Sequence, residues 1–216
     1  MKAFLAKGDS AVAELDPQER LVIARVVADV GLLLGSEPFE SPQPQDIPDE
    51  HAELFAHLSD LEESLTEPDD PATLRLLPNA SPDDRELSDE FRRLTERELR
   101  ATKTARLRRV WEQLSEEGLE WVVPREEVLD VAAALTDVRL VLASRLGLDD
   151  AEGVDRFRTE LELAHHAIST GADDQLGVDP QRAWLGMLYE SLTWLQDTLV
   201  TFDENTAEGS EGTGDE

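Results

Sequence analysis

Residues 16–35 read DPQERLVIARVVADVGLLLG, and the fold class turns on them. Asp16 suits a helix N-cap, Pro17 suits the first helical position, and Glu19, three residues past the cap, can reach back to it. Gly35 supplies the stop. Between these signals Leu21, Val22, Ile23, Val26, Val27, Val30, Leu33 and Leu34 leave almost no polar face. A helix that is apolar nearly all round belongs at the centre of a core, with other helices packed about it. The apolar run 21–35 is shorter than the roughly 20 residues of a membrane span and contains Arg25 and Asp29, so it is read as buried in protein.

Working outward, residues 2–15 alternate loosely around Gly8-Asp9, with Phe4, Val12 and Leu15 as apolar points, and a small N-terminal β-hairpin is expected there. Residues 36–49, with four prolines, read as an extended linker. A second helix is expected over DEHAELFAHLSDLEESL (49–65), where Leu54, Leu58, Leu61 and Leu65 make a one-sided stripe that needs a partner. Residues 66–82 are punctuated by proline around Leu74, Leu76 and Leu77. Ser81-Pro82-Asp83-Asp84 opens a short helix, and Thr95-Glu96-Arg97-Glu98 reads as a capping box that starts another, running to about Ser115. After a break at Gly118, Pro124 opens a long helix lined by Val128, Ala132, Leu135, Val138, Leu142 and Leu146. Residues 155–168 form a shorter amphipathic helix and 169–178 a loop. Asp179-Pro180 caps a last helix with a seam of Leu185, Leu188, Leu192, Leu195 and Leu199. The acidic, Gly-rich residues 203–216 read as a disordered tail. The whole is an all-α bundle of about six or seven helices in a single domain, 1–202.

Composition narrows the function. The 216 residues carry 49 acids against 20 Lys and Arg, a net charge of −29, which repels nucleic acid and anionic membrane alike. There is no cysteine, so disulfides, thiolate metal sites and cysteine nucleophiles are excluded. The start, MKAFLAKGDS, has too short an apolar run for a signal peptide, and a soluble cytoplasmic protein is expected.

One segment runs against the charge. Nine of the 20 basic residues fall between Arg85 and Arg109 with five acids among them, so this window is +4 and the remainder −33. A DNA-reading helix should gather its cations on one exposed stripe. On a helical wheel from Arg97, Leu99, Leu107, Val110, Trp111 and Leu114 occupy roughly 200–320°. Arg97 and Arg108 lie near 0–20°, Arg109 near 120°, Arg106 near 180°, and Arg100 and Lys103 fall within the apolar sector. The cations are scattered, which favours intramolecular pairing; Asp89 with Arg93 and Glu96 with Arg100 have the i,i+4 spacing for it. Asp137 falls near the core side of its helix, where a carboxylate needs a cation, and Arg100 or Lys103 could supply it. The expected structural network is therefore Arg92, Arg93, Arg100, Lys103, Asp137 and Arg139, and the candidate interaction surface is Arg97, Arg106, Arg108 and Arg109.

Sites of other kinds are not expected. His165 and His166 point about 100° apart on a helix, His51 and His57 are six residues apart, and a single Glu162/His165 pair is half of what a diiron bundle needs. No HExxH, GxGxxG, GxxxxGK[ST] or GxSxG occurs, so neither metal, cofactor nor enzyme activity is expected.

DPATLRLLPNASPDDRELSDEFRRLTERELRATK (70–103), LTDVRLVLASRLG (135–147) and WLGMLYESLTWLQDTLV (184–200), in that order, resemble an actinobacterial family long catalogued as a domain of unknown function. Some of its members are named AosR, an oxidative-stress transcriptional regulator. The resemblance spans about residues 1–202. It implies a mostly helical, intracellular, non-enzymatic protein that contacts transcription machinery, a sigma factor or RNA polymerase, with self-association left open. Its gene neighbours, the ClpS adaptor and a cysteine-biosynthesis cluster, give an alternative as an adaptor in protein quality control. Direct DNA binding through residues 85–109 is a further alternative, disfavoured by charge. The chain departs from the family name in one respect: without cysteine, thiol–disulfide sensing cannot operate here.

Overall fold

The computed structural model describes residues 1–39, 70–79, 81, 84–170 and 179–211. The helix expected over 49–65, most of the linker before it and of the proline-rich stretch after it, and residues 171–178 lie outside the described residues.

The N-terminal hairpin is present as β1 (Leu5–Lys7) and β2 (Ser10–Glu14), antiparallel with Leu5 opposite Val12. It acquires a third strand absent from the sequence reading, β3 (Glu120–Pro124), antiparallel to β2 with Ala13 opposite Trp121 and Ala11 opposite Val123. The strand alternates strictly: Trp121 and Val123 are fully buried while Glu120 and Val122 face outward. Pro124 therefore ends a strand rather than opening a helix. A 3-10 turn, Arg125–Glu127, follows it.

Six helices complete the described fold: α1 (Pro17–Leu33), α2 (Pro71–Leu76), α3 (Arg85–Ser115), α4 (Val128–Arg145), α5 (Ala151–Thr170) and α6 (Pro180–Glu211). The protein is thus a helical bundle with a small antiparallel sheet. At α1 the expected capping box is formed: Glu19 N–H donates to Asp16 Oδ1 at 2.8 Å and Asp16 N–H to Glu19 Oε2 at 2.9 Å. Ile23, Val27 and Val30 are buried to within about 1% of their surface, so α1 is a core helix. The same core takes in Leu107, Val110 and Leu114 of α3, Leu135 and Val138 of α4, and Leu192, Leu195 and Leu199 of α6, with α3 and α4 packed on α1 and α6 packed on α4.

Three details differ from the sequence reading. The chain from Arg85 to Ser115 is one uninterrupted helix, so Thr95 does not start a new one; its hydroxyl instead donates back to the Phe91 carbonyl at 2.9 Å. The helix is capped by Asp84, whose Oδ1 accepts from Leu87 N–H at 2.9 Å. One residue of the linker belongs to the core: Phe39 is 2% exposed and its ring lies directly on Gly31, where an added Cβ would stand 2.7 Å from Phe39 Cζ. The backbone of α6 continues beyond Phe202 to Glu211, into the stretch expected to be a tail.

α5 holds to the body by a small cluster of its own, Leu146, Phe157 and Leu161. Gly186 makes this possible, since a Cβ there would stand 2.6 Å from Phe157 Cε2. Among the described residues no helix is long and apolar enough to cross a membrane.

Candidate functional site

The basic segment's cations divide by the direction in which α3 presents them. Lys103 points inward and pairs with Asp137, which is 3% exposed on α4. Burial pushes the Asp137 carboxyl above its ordinary value, while the Lys103 ammonium and, further off, Arg106 pull it down. Arg100 bonds Glu96 four residues back at 2.8 Å and also donates to the Leu34 carbonyl at the end of α1, 3.1 Å.

Arg20 on α1, which the sequence reading passed over, does the converse. It is 4% exposed and donates to the carbonyls of Gln113 (2.7 Å), Leu114 (3.1 Å) and Glu120 (2.8 Å). Each helix thus supplies an arginine to carbonyls at the other's C-terminal end, where the helix dipole is negative. Burial holds the Arg20 guanidinium below the usual arginine value, with Glu116 acting in the opposite sense. These contacts fix an antiparallel register in which Arg20 meets residue 114 and Leu34 meets residue 100. The N-terminal half of α3 therefore runs past the end of α1.

Of the candidate interaction surface, two residues are tied to the chain. Arg106 bonds Asp130 at 2.7 Å, and Arg109 bonds Glu127 at 3.0 Å with Glu112 at 3.7 Å. The Glu127 hydrogen bond raises Arg109 above its usual value, although burial opposes it. Glu127 also accepts from Gln113 at 2.6 Å, and Gln113 in turn accepts from the Trp121 indole at 2.9 Å, joining α3 to the sheet. The other two face outward. Arg108 lies over the Phe39 ring, 4.5 Å from its centroid, and Arg97 is exposed without an ion pair among the described residues.

Arg139 does not join Lys103 and Asp137. It stands on another side of α4, where Nη1 donates to Gln196 Oε1 at 2.7 Å and the guanidinium faces the Tyr189 ring at 5.6 Å. Nothing is described of the side chains of Arg92, Arg93 and Asp89, nor of those of His165 and His166, and His51 and His57 lie outside the described residues. No cluster of three or more metal-ligating side chains occurs among the described residues.

The outward cations border a groove of about 1080 Å³ along α3. Arg97, Arg100, Arg108 and Arg109 line it, Ala101, Thr104 and Ala105 make a strip of small residues between them, and Leu34, Gly35 and Ser36 close one side. Glu96 and Glu112 are its only carboxylates among the described residues. Arg100 is held by Glu96 and Arg109 by Glu127 and Glu112, so Arg97 and Arg108 carry the local positive excess on a chain that is −29 overall. The arrangement can seat a helix closely against the alanines and hold its carboxylates on the arginines. From the sequence alone Arg97 and Arg108 are legible as neighbours on one face; the contribution from the end of α1 is not.

Residues 1–202 match the family model described as "Domain of unknown function (DUF2017)", and the chain belongs to that family. No curated protein and no solved structure matches it.

Proposed function

For a member of this family, we propose a non-enzymatic regulatory role in transcription, exercised by docking a partner protein in the arginine-walled groove of α3. The observation that carries the reading is the groove itself: cations concentrated around a strip of small residues on a protein whose net charge disfavours DNA. A complementary partner is an acidic amphipathic helix, and the resemblance to oxidative-stress regulators points to a sigma factor or RNA polymerase subunit as its bearer. Regulation in this member operates without thiol chemistry, because it has no cysteine. Within the groove Arg100 is engaged with Glu96 and Arg109 with Glu127, so Arg97 and Arg108, with no ion pair among the described residues, are the cations that would meet a partner's carboxylates.

The test is affinity purification of the full chain from its host beside Arg97→Glu and Ala101→Trp variants, each checked for native circular dichroism. Arg97 and Ala101 are exposed, so neither change threatens the core. A transcription component retained by the wild type and reduced about tenfold or more by either variant supports the reading; one strong charge-assisted contact is of that size. Recovery of no transcription component, or equal recovery with all three proteins, overturns it.

A further inference from the structure

Arg139 is a half-buried cation with an unusual set of neighbours. Among the described residues it forms no ion pair with a carboxylate, and its Nε is buried without a hydrogen-bond partner. Its charge is met by the Gln196 amide oxygen and by the face of Tyr189. Leaving a guanidinium partly desolvated without a counter-ion costs free energy. A chain with 49 acidic residues had ample means to supply one.

The groups around Arg139 are fixed in place. Gln196 donates to the Ala132 carbonyl at 2.9 Å and to Thr136 Oγ1 at 2.7 Å, which leaves its oxygen turned to the guanidinium. Tyr189 meets Phe157 edge-on at 6.1 Å and 88°, and Phe157 is seated against Gly186. Arg139, Phe157 and Tyr189 wall a cleft of about 380 Å³ where α4, α5 and α6 converge. That is near the lower end of the roughly 300–1,000 Å³ typical of small-molecule sites. Leu140 and Leu148 give it an apolar side. Its polar lining is cationic in balance: Arg75 and Arg158 accompany Arg139, against exposed Glu190 alone. Arg75 is engaged with Asp149 and the Leu148 carbonyl, and Arg158 reaches Asp155 only at 3.7 Å, so Arg139 is the cation without an acidic partner.

We propose that this cleft binds a small organic carboxylate, its anionic end on Arg139 and its apolar body against Phe157, Leu140 and Leu148. The missing counter-ion is then the ligand. Inorganic phosphate lacks the apolar body, and a neutral analogue lacks the charge. Binding would brace α5, otherwise held by a small cluster, against α4 and α6. The site stands apart from the groove on α3 and does not depend on what docks there.

The experiment is an NMR titration of the ¹⁵N-labelled full chain with benzoate and hexanoate, beside benzyl alcohol and inorganic phosphate. The expected result is saturable shifts for at least one carboxylate, centred on amides around Arg139, Phe157 and Tyr189, with no comparable effect from either control. Arg139→Gln should weaken binding about tenfold or more, the loss of one charge-assisted contact. Glu190→Gln, on an exposed side chain, should strengthen it by removing a like charge, and this second variant keeps the test valid should Arg139→Gln fail to fold. The proposal is overturned by absence of saturation in the millimolar range. Equal binding of benzyl alcohol or phosphate overturns it too, as does an affinity indifferent to the variants that fold.

Discussion

The two halves of α3 share one helical period and have opposite fates. In the C-terminal half Leu107 and Val110 are fully buried and Leu114 is 3% exposed. In the N-terminal half Leu87, Phe91 and Leu94, spaced by four and three, are each more than half exposed. Composition does not separate them, since both halves set leucines among arginines and glutamates. The difference is the partner. The arginine contacts at its two ends register α1 along the C-terminal half only. Some 15 residues, or about 22 Å of helix, project beyond it. An amphipathic pattern thus specifies which face will be buried, and the length of the neighbouring helix decides whether it is.

The largest effect that would sharpen this contrast lies where the buried half meets α4. Lys103→Met leaves the Asp137 carboxylate enclosed without its cation and should cost about 3–5 kcal/mol, whereas Lys103→Met with Asp137→Leu should be near neutral or stabilising. The pH dependence has a definite sign. Burial raises the folded-state pKa of Asp137 above its unfolded value, so the folded state binds the proton more readily and this residue's penalty is relieved as pH falls. Without Lys103 that raising force is less opposed. The deficit of Lys103→Met should therefore be greatest at neutral pH and shrink on acidification, as urea denaturation across a pH series would measure. A deficit that grows toward acid would contradict the burial account.

Next in size is Leu107→Ala, which empties a fully buried position and should cost about 2–5 kcal/mol in the same assay. Arg20→Gln follows. It removes a guanidinium serving three carbonyls and should cost on the order of 3 kcal/mol, since buried carbonyls left without donors lose roughly 1–3 kcal/mol each and a glutamine recovers part. Hydrogen exchange should quicken at the C-terminal end of α3 and in β3. Protection unchanged there would break the claim that Arg20 sets the register of the two helices.

How far the sequence foretold these elements follows from the range over which each is specified. The α1 capping box and the Gly8-Asp9 hairpin are local patterns and were legible. So was the need of Asp137 for a cation from α3, although Arg100 and Lys103 both fall toward the apolar side and only the structure assigns Lys103. β3 was not: the five residues EWVVP become a strand through pairing with β2, more than a hundred positions earlier. Thr95 misled because a capping box is a statement about four residues, whereas strong helix formers on both sides carry the helix through it. Arg139 was grouped with Asp137 although residues two apart on a helix point about 200° apart, so one meets α3 and the other α6. The groove was half legible, as a face of α3, while its far side at Leu34–Ser36 depended on where α1 stops. Arg20 illustrates the limit: no local signal links it to carbonyls 93 and 94 residues on.

The smallest predicted effect bears on the comparison most directly. Phe91→Ser and Leu94→Ser together should change the stability of the dilute protein little, about 0.5 kcal/mol or less for each, because both side chains are already in water and only helix propensity is altered. Leu107→Ala, thirteen residues after Leu94 on the same helix, should exceed the pair severalfold. If the double serine variant instead lost about 2 kcal/mol or more, the N-terminal half would have a cover in solution, and the source could be separated by concentration. A second copy as cover would make the wild-type melting temperature rise with protein concentration and the variant's stay flat, whereas a cover from within the chain would leave both independent of concentration. Small loss with flat melting would leave three large apolar side chains exposed beside an arginine-lined groove, a surface that stays open for a partner.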